Sequence, residues 1–75
     1  MKQQVIDILK AIKPTKDLSE VTDIIDGAYL DSFELMSLIA NLGDSFGIEI
    51  DVDEIMPENF NSVDAITAMV TRLKG

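Results

Sequence analysis

The residues best placed to do chemistry are Asp31, Ser32 and Phe33, which precede a stretch of apolar residues at helical spacing. A serine at the start of a helix lies beside backbone N–H groups that the helix itself does not use. A phosphodiester on the Ser32 hydroxyl would therefore sit at the positive end of the helix dipole. Asp31 could cap the helix or help to hold a metal ion while such a phosphodiester is formed on Ser32. The pair is equally an ordinary helix cap, and spacing alone leaves both interpretations open.

The sequence lacks the residues that most enzymes and metal sites use. It has no histidine and no cysteine, which excludes Ser-His-Asp and Cys-His catalysis and removes the usual zinc ligands. Asp51, Asp53 and Glu54 lie close together, but without the glycine and the spacing of a calcium loop. A chain of 75 residues can hardly enclose the substrate cleft that a paired-carboxylate hydrolase needs. We therefore predict no catalytic residue and no metal site.

Length and charge restrict the remaining functions. The length of 75 residues predicts a single domain over residues 1–75, and the absence of cysteine means that packing holds it without disulfides. Its net charge is −8, and no basic residue lies between Asp17 and Thr71. Such a surface repels nucleic acids and anionic membranes and attracts basic surfaces of other proteins. The sequence contains neither a membrane-spanning apolar run nor a signal-peptide pattern, and we expect a cytoplasmic monomer.

Two amphipathic patterns predict the first two helices. The first covers about three turns and ends at Pro14, which cannot continue a helix. Its apolar stripe consists of Val5, Ile8, Leu9 and Ile12. The second helix is predicted over 32–46, with Asp31 or Ser32 as its cap and Gly47 at its end. Its stripe consists of Leu35, Leu38, Ile39, Leu42 and Phe46.

Between these helices, residues 15–31 lack clean periodicity. We predict a long ordered loop there, with apolar side chains tucked against the helices and one turn of helix near 19–22. A loop of this length in a small domain is often functional, and this one delivers the chain to Ser32.

The last third of the chain predicts a short helix and a longer one. Residues 48–53 alternate as in a strand, but no partner strand exists, so we predict an extended connection. Pro57 favours a short helix over 57–60, and the last helix begins near Asn61 or Ser62. The predicted fold class is all-α: a small bundle of three main helices and one short helix, with a long loop between the first two.

Three segments resemble one known family and stand in that family's order. Leu30-Asp31-Ser32-Phe33 resembles the phosphopantetheine attachment motif of acyl carrier proteins and peptidyl carrier domains. Phe46-Gly47-Ile48-Glu49-Ile50 resembles the end of the family's second helix, and residues 57–60 with 62–66 resemble its third and fourth helices. The resemblance covers nearly the whole chain, which makes it far more specific than an isolated Asp-Ser.

The resemblance implies that Ser32 bears a covalent 4′-phosphopantetheine arm and that Asp31 is the acid of the motif. It also implies that Phe33 and Met36 offer apolar contacts to partners and that Glu34 offers an acidic one. A separate phosphopantetheinyl transferase would install the arm from coenzyme A. Acyl- or aminoacyl-loading ligases and downstream synthases with basic docking surfaces would then use it, while the chain itself would not be catalytic.

Two departures from the family's pattern bear on the cargo. Fatty-acid carriers usually have leucine after the serine, where this chain has Phe33, and they carry more acids along the second helix. The segment around Ser32 also resembles D-alanyl carriers and standalone aminoacyl carriers. Fatty acyl, polyketide, peptidyl and D-alanyl cargo all remain open at this stage. A rival of another class is a helical module that only docks basic partners and bears no arm.

Overall fold

The computed structural model describes residues 1–75 and contains four α-helices and no strand. The helices are α1 (Lys2–Ile12), α2 (Ser32–Phe46), α3 (Pro57–Phe60) and α4 (Val63–Lys74). The predicted all-α class is confirmed, and the second helix and the short helix have the predicted bounds. None of the four helices is both long and apolar enough to cross a membrane.

The long helices pack on one another around a wholly apolar core. Helix α1 lies against both α2 and α4, and the short helix α3 packs on α4. No polar or charged residue is fully buried, and the Thr67 hydroxyl is the buried side-chain polar group that lacks a hydrogen-bond partner. The buried residues are Val5, Leu9, Leu18, Ile24, Leu30, Leu38, Leu42, Phe46, Phe60, Val63, Ile66, Met69 and Val70.

The long loop between α1 and α2 contributes to this core. Leu18, Ile24 and Leu30 are buried in it, which confirms that the loop tucks apolar side chains against the helices. The turn of helix predicted near 19–22 is absent. The structure has a single turn there, in which the Val21 N–H donates to the Leu18 carbonyl over 3.2 Å.

The segment after α2 has the strand-like alternation but no strand. Gly47 ends α2 in the left-handed region, with φ of 63°. Residues 48–51 then form no regular element, because no second strand is available for a ladder. A 3₁₀ turn at Val52–Glu54 was not predicted. Val52 remains 79% exposed, so the alternation does not mark a buried face at this point.

The 3₁₀ turn is tied to α4 by a two-pronged ion pair. The Arg72 guanidinium donates to the two carboxylate oxygens of Glu54 over 2.7 and 3.0 Å. These hydrogen bonds hold the pKa of Glu54 below its usual range. Asn59 adds a bond from its amide to the Glu54 carbonyl, 2.8 Å long. The loop that precedes α3 is therefore fixed to the bundle although its own side chains are mostly exposed.

Candidate functional site

Helix α2 begins with a reciprocal cap between Asp31 and Glu34, in which the Ser32 hydroxyl takes no part. The Glu34 N–H donates to the Asp31 carboxylate over 2.8 Å, and the Asp31 N–H donates to the Glu34 carboxylate over 2.9 Å. Of the two caps that the sequence allowed, the structure therefore selects Asp31. Ser32 is the first residue of the helix and is exposed, so its hydroxyl is accessible to an enzyme.

The first turn of α2 also offers backbone donors. The Glu34 N–H is used by the Asp31 side chain, and the Leu35 N–H donates to the Asp31 carbonyl over 2.9 Å. The N–H groups of Ser32 and Phe33 have no backbone partner. At the start of a 15-residue helix such free N–H groups favour a negative group. A phosphodiester on the Ser32 hydroxyl fits this place.

A tight turn before the site sets the direction in which the chain enters α2. The Gly27 N–H donates to the Asp23 carbonyl, 2.6 Å away, and a Cβ at Gly27 would lie 2.7 Å from that same oxygen. Ala28 follows in the left-handed region with φ of 58°. Lys16 lies over the ring of Tyr29, 5.3 Å from its centroid. Leu30 is then buried, which anchors the chain one residue before the cap.

The side chain of Asn61 links this turn to the segment between α3 and α4. The Asn61 side-chain oxygen accepts the N–H groups of Ile25 and Asp26 over 2.9 and 3.1 Å, and its amide donates to the Asp26 carboxylate over 3.0 Å. Its backbone carbonyl accepts the Ile24 N–H over 2.9 Å. From sequence, Asn61 was only a candidate cap for α4. That cap is Ser62, whose hydroxyl accepts the Ala65 N–H.

The residues with implied partner contacts fall into two groups. Phe33 is 86% exposed and Met36 is 63% exposed. At a spacing of three residues they are neighbours on the surface of α2 beside Ser32. We call these two side chains the apolar patch. Glu34 is instead half-buried and engaged within the molecule, since its carboxylate also contacts the Lys13 ammonium over 3.3 Å.

A shallow apolar cleft opens between the first turn of α2 and the segment around α3. Its volume is about 70 Å³, room for about two water molecules and far below the roughly 300 Å³ of a small-molecule pocket. Sequence reasoning did not identify it, because its walls come from three separate segments. The lining residues are Ile25, Leu35, Ile55, Met56, Pro57 and Phe60.

No group of three or more acidic side chains is close enough to hold a metal ion. The acidic residues of 51–54 therefore do not converge on a common centre. Their carboxylates lie on a turn whose one strong contact is the ion pair between Glu54 and Arg72.

Comparison with known proteins connects this geometry to one family. The model of the phosphopantetheine attachment site family matches residues 1–70. A D-alanyl carrier protein of Lactococcus lactis subsp. lactis (strain IL1403) is 30% identical over 76 residues, covering 99% of this chain and 96% of that protein. A D-alanyl carrier protein of Lactococcus lactis subsp. cremoris (strain MG1363) is 32% identical over 72 residues, covering 93% and 91%.

The Asn61 contacts predict that this residue stabilises the loop before Ser32. Asn61→Ala should lower the free energy of unfolding by about 1–3 kcal/mol, because the partly buried N–H of Ile25 and the exposed N–H of Asp26 both lose their acceptor. Urea denaturation measures this loss. In the same variant, hydrogen exchange should accelerate at the amides of Ile25 and Asp26.

The matched control is Asn41→Ala, which removes one local bond from an exposed asparagine to the Ser37 carbonyl. That change should cost no more than about 0.5 kcal/mol. Equal losses in the two variants would show that Asn61 does not fasten the loop.

Proposed function

The chain belongs to the phosphopantetheine attachment site family, and on that premise we propose that it is a D-alanyl carrier whose arm is attached to Ser32. Proteins of this family carry 4′-phosphopantetheine covalently and are not themselves catalytic. When bound, the arm supplies a thiol that holds an acyl or aminoacyl group as an activated thioester. The carrier role follows from the family, whereas the attachment residue and the cargo are our proposals.

One observation carries the choice of Ser32. Its side chain is exposed at the first position of α2, and Asp31 performs the capping that a serine there would otherwise do. The unused N–H groups of Ser32 and Phe33 favour the phosphodiester that attachment creates. A transferase therefore meets an accessible hydroxyl at a helix start, beside N–H groups that favour the negative charge of the product.

Two observations support a small aminoacyl cargo. Two D-alanyl carrier proteins match this chain over nearly their whole length. The cleft beside α2 holds about 70 Å³, which is too small to enclose a long acyl chain. Fatty acyl, polyketide and peptidyl cargo become outcomes of the loading experiment described below.

The surface around Ser32 supports brief docking of several enzymes. The apolar patch offers two large side chains for burial by a partner. The net charge of −8 attracts basic docking surfaces and speeds encounter, an effect that weakens as salt shortens the Debye length. We propose as partners a phosphopantetheinyl transferase and an adenylating ligase that loads the amino acid.

The attachment proposal predicts that Ser32→Ala abolishes modification without unfolding the protein. Wild-type protein incubated with coenzyme A, magnesium and a broad-specificity transferase should gain the mass of one phosphopantetheine, and Ser32→Ala should gain none. Intact-mass spectrometry reads the adduct. Thermal unfolding of the variant should stay close to that of the wild type, because Ser32 is exposed.

Ser37→Ala is the matched control, since Ser37 is also exposed on α2. It should accept the arm as well as the wild type does. Modification that persists in Ser32→Ala would remove Ser32 from the site. A wild-type chain that refuses the arm from every transferase tried would favour the rival interaction module.

The cargo proposal predicts a preference for D-alanine. Protein bearing the arm, with ATP and a D-alanine-activating ligase, should gain one D-alanyl group that hydroxylamine removes, as expected of a thioester. The same protein should be a poor substrate for ligases that load fatty acids. Efficient fatty acyl loading with no D-alanyl loading would contradict the proposal.

The docking proposal predicts that the apolar patch lowers the KM of the loading ligase. Phe33→Ser and Met36→Ser should each raise KM about tenfold, equivalent to about 1.4 kcal/mol, with little change in protein stability. Val52→Ser is the control, because Val52 is equally apolar and 79% exposed but lies on the 3₁₀ turn. Equal KM values for the three variants would place docking elsewhere.

A further inference from the structure

Lys13 is the basic side chain that contacts the first turn of α2. Its ammonium lies 3.3 Å from a Glu34 carboxylate oxygen, and both side chains are half-buried, with 32% and 25% of their surfaces exposed. Four of the other five basic residues have partners elsewhere. Lys2 pairs with Asp64, Lys16 lies over Tyr29, Arg72 pairs with Glu54 and Lys74 donates to the Phe46 carbonyl.

The contact places a positive charge on the carboxylate oxygen that accepts the capping hydrogen bond before Ser32. The Glu34 oxygen that receives the Lys13 ammonium also accepts the Asp31 N–H over 2.9 Å. Two contacts of 3.3 and 2.9 Å therefore join Lys13 to the backbone of the residue before Ser32. A lysine stem is long and flexible, so its ammonium is not restricted to the Glu34 contact.

Attachment of the arm changes the charge balance at this point. A phosphodiester on Ser32 adds a negative charge between the carboxylates of Asp31 and Glu34. No basic residue lies between Asp17 and Thr71, so α2 contains none to compensate it. In the loop before α2, Lys16 lies over the Tyr29 ring, which leaves Lys13 as the basic residue already in contact with the first turn of α2. An ammonium has three donors, and Lys13 uses one of them on Glu34. Two donors remain for a phosphate oxygen.

We propose that Lys13 is the positioning residue for the phosphodiester of the arm. In the protein that bears the arm, its ammonium bridges Glu34 and a phosphate oxygen and holds the root of the arm against the junction of α1 and α2. In the protein without the arm, the same ammonium contacts Glu34 alone. This inference rests on the proposed attachment at Ser32. It predicts that Lys13 stabilises the arm-bearing protein more than the bare one.

The test compares Lys13→Met with the wild type in both forms, at low salt. Loss of the ammonium should lower the unfolding temperature of the arm-bearing protein by about 3 °C more than that of the bare protein, which is a measurable shift for a domain of this size. The ³¹P resonance of the phosphodiester should also move in Lys13→Met. Lys13→Arg keeps the charge and should restore most of both effects.

Lys2→Met is the matched control, because it also removes one positive charge and one ion pair from α1, at the opposite end of the helix. It should lower both forms equally and leave the ³¹P resonance in place. Wild-type protein provides a measurement that needs no variant: rising salt should displace the ³¹P resonance by screening the contact.

Equal losses in the two forms of Lys13→Met, or a ³¹P resonance that neither Lys13→Met nor salt displaces, would overturn the inference and leave the proposed function standing. A wild-type chain that takes up no arm, or takes it up at a residue other than Ser32, would overturn both. Mass spectrometry of the wild type therefore separates the two failures before any variant is compared.

Discussion

The reciprocal hydrogen bonds between Asp31 and Glu34 are the interaction on which the rest of the site depends. A helix start leaves backbone donors without partners, and a serine, threonine, aspartate or asparagine at the boundary commonly satisfies one of them. Here the acid before the serine satisfies the Glu34 N–H, and the Glu34 side chain returns to the Asp31 N–H. Ser32 is thereby fixed at the first helical position with an accessible hydroxyl.

For Ser32 to lie at the first position of α2, the loop between α1 and α2 must end at one defined place. A small domain without disulfides has only packing and hydrogen bonds with which to fix the 19 residues between α1 and α2. The buried side chains of the loop hold it to the core, and Asn61 ties its central turn to the junction of α3 and α4. The position of Ser32 thus depends on contacts from both halves of the chain, which explains why so small a protein orders its longest loop.

The sequence predicted what depends on local pattern and failed where contacts are long-range. The bounds of α2 and α3 follow from a capping acid, a proline and a left-handed glycine, all of which act within one turn. Asn61 and Ile25 are 36 residues apart, and Lys13 and Glu34 are 21 apart. No periodicity joins such pairs. Glu34 shows the consequence: the family resemblance implied a partner contact for it, but no sequence pattern indicated its contact with Lys13.

The ring of Tyr29, which lies beneath the Lys16 ammonium, makes the loop observable by fluorescence. The chain contains one tyrosine and no tryptophan, so all of its intrinsic fluorescence above the phenylalanine background arises from this ring. The ring is half-buried three residues before Ser32, next to the left-handed Ala28. Any rearrangement of the connection between α1 and α2 would alter the surroundings of this single fluorophore. The domain consequently contains a native reporter on the segment that leads to α2, and no label has to be added.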